Sequence, residues 1–72
     1  QLFYPNPAEK TIHFKEAFKG SISVYGLNGE LVQESTNLNT SSYNVSDINT
    51  GIYILKYTST EGEIIYNKLV KK

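Results

Sequence analysis

The sequence predicts an all-β domain, an immunoglobulin-like or fibronectin-like antiparallel β-sandwich of about seven short strands. Two observations carry that prediction. Apolar residues recur with a period of two along most of the chain, and no stretch builds the i, i+3, i+4 stripe of an amphipathic helix. Turn residues interrupt these runs at the spacing usual for a sandwich, with Asn28-Gly29 and Glu61-Gly62 marking tight hairpins.

Each element has its own signature. Leu2-Phe3-Tyr4 is a short extended opening. Pro5-Asn6-Pro7 then stiffens the chain, because two prolines hold φ near about −65° and push Tyr4 and Asn6 toward extended geometry. Thr11-Ile12-His13-Phe14 alternates, with Ile12 and Phe14 inward and His13 outward. Lys19-Gly20 is expected to link this strand to the next, Ser21-Ile22-Ser23-Val24-Tyr25, which turns Ile22 and Val24 inward. Gly26 and Asn28-Gly29 lead into Leu31-Val32-Gln33-Glu34, Gly29 supplying positive φ. Residues 35–42, polar apart from Leu38, read as a loop.

Tyr43 and Val45 share one face of the following strand. Residues 46–51 form a corner, where Asp47 and Asn49 suit bonds to local backbone N–H groups. Residues 52–58 are nearly continuous apolar, and the best register puts Tyr53, Leu55 and Tyr57 inside with Lys56 and Thr58 toward water. Residues 63–70 carry apolar side chains on both faces. That pattern predicts either a bulge or an outer face that meets something.

Seventy-two residues make one domain, residues 1–72, or a piece of a longer protein. A chain this short buries only about 60% of its unfolded surface, so its core is thin. It has no cysteine to staple it, and six Tyr and three Phe must supply much of the burial. With no Met, residue 1 is expected to be a processing boundary. Seven Lys balance seven Asp and Glu, without Arg. A neutral chain lacking the guanidinium fork has neither the field nor the donors that nucleic acid demands. No apolar run approaches the ~20 residues of a transmembrane span, and an export signal is expected on a part of the protein outside these residues.

The chemistry-bearing residues do not assemble into a catalytic set. His13 is the one histidine and faces solvent, so a zinc site would need three carboxylates, poor ligands for that metal. Glu30 with Glu34 and Glu61 with Glu63 flank turns or strand ends on solvated surface, which offer no burial of the kind general acid work needs. The serines lack a base and an oxyanion site. A sandwich of this size is also expected to have no room for a substrate pocket of several hundred Å³. No enzyme activity, metal or cofactor is expected. The strand ending in Leu69 and Val70, followed by lysines, does offer an edge that a receptor could capture by strand addition.

Four motifs in fixed order carry the remaining information: Phe3-Tyr4-Pro5-Asn6-Pro7, Val24-Tyr25-Gly26-Leu27-Asn28-Gly29-Glu30-Leu31-Val32, Ile48-Asn49-Thr50-Gly51-Ile52-Tyr53 with Leu55-Lys56, and Lys68-Leu69-Val70-Lys71. Together with Ile12 they resemble the type A C-terminal sorting domain of the type IX (Por) secretion system of Bacteroidota. Gly26 stands where that family often has Asp, which alters turn hydrogen bonding but keeps the hairpin. The resemblance implies a secreted or cell-surface cargo carrying its own signal peptide. It implies recognition of the folded tail by the outer-membrane translocon and its β-barrel shuttle protein, and removal by a surface sortase. On that reading Gly51, Tyr53, Lys68, Leu69, Val70, Lys71 and Lys72 are the recognition candidates, with Gly51 serving backbone conformation and Tyr53 packing. Pro5, Asn6 and Pro7 form a rigid opening motif. The competing expectation is an accessory carbohydrate- or protein-binding module of an extracellular enzyme, with exposed tyrosines such as Tyr66 stacking on sugars. An inert spacer is the third.

Overall fold

A computed structural model describes residues 3–5 and 7–72. The chain is all-β and antiparallel, with five strands rather than seven: β1 (Phe3–Tyr4), β2 (Thr11–Gly26), β3 (Leu31–Asn44), β4 (Gly51–Ser59) and β5 (Ile64–Lys71). They form one hydrogen-bonded sheet in the order β1-β2-β4-β5, with β3 on the other side of β2. Leu2 and Asn6, assigned above to the opening segment, lie outside the described residues.

The strand count falls because two expected breaks are bends. Lys19-Gly20 does not separate two strands but lies inside β2, with Gly20 at φ 145°. Residues 35–42 are not a loop but the bent middle of β3, where Asn37 adopts φ 55° and the register against β2 shifts. Polar composition misleads here, because an edge strand carrying Thr, Ser and Asn hides its unpaired side from other chains. The bend in β3 is sharp. Gln33 Nε2 donates to the Asn44 carbonyl at 3.0 Å and to the Tyr43 hydroxyl at 2.9 Å, although eleven extended residues would span roughly 36 Å.

Both long strands therefore bring their two halves over one core. Phe3, Ile12, Phe14 and Tyr43 from the first half of the sheet cluster with Ile22, Val24, Leu55, Tyr57 and Leu69 from the second. Phe14 meets Tyr57 edge-on with ring centroids 5.8 Å apart, and Phe18 meets it at 5.5 Å. The inward positions read from alternation hold throughout: Ile12, Phe14, Ile22, Val24, Tyr43, Val45, Leu55 and Tyr57 are buried, Tyr53 is half-buried and His13 is exposed.

The two hairpins share one construction. Gly26 N donates to the Glu30 carbonyl at 2.8 Å and Gly29 N to the Gly26 carbonyl at 3.0 Å. Ser59 N to Glu63 O (2.8 Å) and Gly62 N to Ser59 O (2.9 Å) repeat the pattern. Gly29 and Gly62 supply the left-handed residue, at φ 87° and 90°, as a type I turn closing through a bulge requires. Gly26 contributes no positive φ. Residues 63–70 form no bulge, since the β4–β5 register runs unbroken from Gly51↔Lys71 to Thr58↔Ile64.

Room exists where none was expected. Residues between His13 and Phe18 bow away from β3, and the space beside them is an open cleft of about 390 Å³ walled by Phe14, Phe18, Tyr57 and Ile65.

Candidate functional site

The recognition candidates converge at one end of the sheet. Antiparallel register sets Gly51 opposite Lys71, Ile52 opposite Val70, Tyr53 opposite Leu69 and Ile54 opposite Lys68. Across β2, Gly26 lies opposite Tyr53 and Tyr25 opposite Ile54, so the hairpin motif borders the same patch. The opening motif arrives from the other side. Pro5 and Pro7 are exposed, and Ala8, the next apolar residue, forms a parallel bridge to Lys71.

The corner before Gly51 is tied by the side chains of Asn44, Ser46 and Tyr53, not by those of Asp47 and Asn49 that local propensity names. Asn44 Oδ1 accepts from Ser46 N at 2.8 Å and from Ser46 Oγ at 2.6 Å. Ile48 is buried beneath the turn, and its N–H donates to the Val45 carbonyl at 3.3 Å. Tyr53 Oη donates to the Asn49 carbonyl at 2.7 Å, so the ring packs inward while its hydroxyl holds the corner, a device akin to the tyrosine corner of sandwich domains. Gly51 plays a different part from the one expected. Its φ lies outside the left-handed region, and a Cβ there would make ordinary contact with the Tyr53 ring at 3.5 Å. Neither a left-handed backbone nor lack of room therefore requires glycine at position 51.

Alternation splits the terminal strand into a buried and an exposed face. Leu69 is fully buried, and Lys71 is 8% exposed with its Nζ donating to the Lys72 carbonyl at 3.1 Å. Lys68, Val70 and Lys72 face the other way, Val70 being half-buried. The same outer face carries Ile64, Tyr66 and Ile52, all substantially exposed. The apolar residues on both faces of 63–70 thus mark a strand with one face in the core and an apolar outer face in solvent.

The edge of the terminal strand is not open at its end. Ala8 N donates to the Val70 carbonyl and Lys72 N donates to the Ala8 carbonyl, each at 2.7 Å, and Ala8 is fully buried. Sequence reasoning missed this contact. No local pattern in Pro7-Ala8-Glu9 announces pairing with a strand sixty residues away. Among the described residues no three His, Asp or Glu side chains gather as a metal-holding cluster, and no helix is long and apolar enough to cross a membrane.

A family model described as the secretion system C-terminal sorting domain matches residues 2–72. The chain belongs to that family. Membership covers the whole patch described above, from the opening motif to the terminal lysines. No curated protein matches the chain. Membership also carries the general role of the sorting domain, a signal for type IX secretion, a system of Bacteroidota. Its clients pass through the outer membrane to the cell surface or beyond.

Proposed function

We propose that residues 1–72 are a non-catalytic address at the tail of a larger exported cargo protein. The outer-membrane translocon and its barrel-shaped shuttle read this address, and a surface sortase then removes it. The family match over residues 2–72 supports this reading most strongly. The geometry adds a specific surface: Lys68, Val70 and Lys72 on the outer face of β5, with Ile52 and Tyr66 beside them. Gly51, Tyr53, Leu69 and Lys71 act behind that surface, holding the strand in place. The same reading takes the fold as a two-layer sandwich, since the folded-over halves of β2 and β3 share one core.

The test is a fusion of residues 1–72 to a periplasmic reporter in a host with an active type IX system. Surface delivery is expected for the unaltered fusion. Reversing the outer charges (Lys68→Glu with Lys72→Glu) should reduce delivery at least about tenfold while the thermal midpoint moves little, since both side chains are exposed and a solvent-facing pair such as Lys72–Glu9 contributes little to stability. Normal delivery by that double variant would remove the outer face of β5 from the signal.

A further inference from the structure

We propose that the cargo chain arriving at residue 1 docks as an upstream extension of β1, pairing with β2 opposite residues 15–18 and seating one apolar side chain in the cleft beside Phe18. The inference rests on reading residues 1–72 as the tail of a longer protein. It begins with an edge shared by two strands. His13 has Tyr4 of β1 on one side and Ser42 of β3 on the other, and Gly20 has Ser59 of β4 on one side and Leu38 of β3 on the other. β1 and β4 thus follow the same edge of β2, with a gap between them. Among the described residues, Lys15, Glu16 and Ala17 pair with none of β1, β3 and β4.

The main chain in that gap is aimed at a partner. Val45 N donates to the Lys10 carbonyl on the β3 side, and Thr60 N donates to the Lys19 carbonyl on the β4 side. Residues of an antiparallel strand bond their two neighbours alternately. Even-numbered residues therefore turn toward β3, while Lys15 and Ala17 turn their N–H and C=O groups into the gap. Direction and register then name the occupant. β1 runs antiparallel to β2 with Phe3 opposite Phe14, so each step upstream meets the next residue along β2. The residue immediately before Gln1 comes opposite Ala17, and the one before it opposite Phe18. The extension stops there, because Thr60 holds Lys19 at 3.2 Å. Cross-strand partners share a face, so the second residue before Gln1 carries its side chain on the face of Phe14 and Phe18. That face opens into the cleft of about 390 Å³ that Tyr57 and Ile65 complete, and such walls select an apolar side chain. Covalent continuity with β1 makes this strand an intramolecular partner, favoured over any strand that must first be encountered. Docking also covers an edge that would otherwise invite other chains.

The test uses the reporter fusion extended upstream by the cargo's own residues, beside a variant with Pro at both positions directly before Gln1. Proline cannot donate to a ladder. Native-state hydrogen exchange should find the Ala17 amide at least about tenfold slower in the unaltered fusion than in the Pro-Pro variant, with Leu55 equally protected in both. Nuclear Overhauser contacts should join the side chain of the second residue before Gln1 to the Phe18 ring. Equal exchange of Ala17 in the two fusions, or no contact with Phe18, overturns the docking. Protection of Ala17 that appears only on adding the purified barrel-shaped shuttle also overturns it, and gives the edge to a receptor strand. Should the Pro-Pro variant lose protection at Leu55, the Phe18 contact in the unaltered fusion decides alone. Docking is read from exchange and contact, sorting from surface delivery of the unaltered fusion, so the failure of either is seen separately.

Discussion

Tyr57 concentrates the energetics of the core in one side chain. Its ring meets Phe3, Phe14 and Phe18 with centroids 5.5 to 6.3 Å apart, the strongest aromatic cluster among the described residues. Its hydroxyl, however, is buried without a hydrogen-bond partner. Burial pushes the phenol well above its ordinary value of 10.0. The sign follows: the unfolded chain releases this proton near pH 10 and the folded chain does not. The stability gained is whole below pH 10 and drains away as pH rises beyond it. Tyr57→Phe keeps the ring and deletes the orphan hydroxyl, so it should stabilise the domain by about 1 kcal/mol or more. It should also flatten the loss of stability above pH 10, both read by urea unfolding across pH. A destabilised Tyr57→Phe would mean that the hydroxyl has a partner in solution. Tyr53 is the contrasting case. Tyr53→Phe breaks the bond to the Asn49 carbonyl and should cost about 1 kcal/mol, the opposite sign to Tyr57→Phe. Alternation placed both rings inside, but it carries no information on where a hydroxyl ends up, so only the structure separates the two.

The elements differ in how much freedom their glycines need. Gly20 bends β2 at φ 145°, and a Cβ there would run into the Thr58 carbonyl and lie 2.9 Å from Ser59 Cα. Both atoms belong to a paired backbone that cannot retreat without breaking the β2–β4 ladder. Gly29 and Gly62 have positive φ but open space around them. Gly29→Ala and Gly62→Ala should therefore cost about 1 kcal/mol each, the backbone strain alone. Gly20→Ala adds a collision inside the sheet and should cost at least about 3 kcal/mol, seen as a much lower urea midpoint. Equal losses at Gly20 and Gly29 would disprove the close approach. The hairpins were legible because Asn28-Gly29 and Glu61-Gly62 state their turn locally. Gly20 looked like a third such turn, and the polar run 35–42 like a loop. Their true roles depend on β4 and on the far end of β3, partners that a local pattern does not name.

At the scale of the whole molecule, one thin core joins every motif, and that governs how the signal can be tested. The four motifs were legible as an ordered set, and the structure places three of them side by side through Gly26, Tyr53 and Leu69 in one cross-strand row. What the sequence could not convey is that the terminal strand is core on one side and surface on the other. Removing residues 68–72 deletes Leu69, which is fully buried, together with the partners of Gly51 and Tyr53. A domain burying only about 60% of its surface has little stability to spare for such a loss. Leu69→Ala alone should cost about 2–5 kcal/mol and abolish delivery by unfolding the tail. Lys68→Glu with Lys72→Glu should cut delivery at least about tenfold with the fold intact. Comparing thermal midpoints and surface delivery for the pair separates a signal read from its outer face from one that merely has to be folded. If Leu69→Ala unfolds the tail yet delivery persists, the machinery reads an extended terminal segment and the folded patch is not the address.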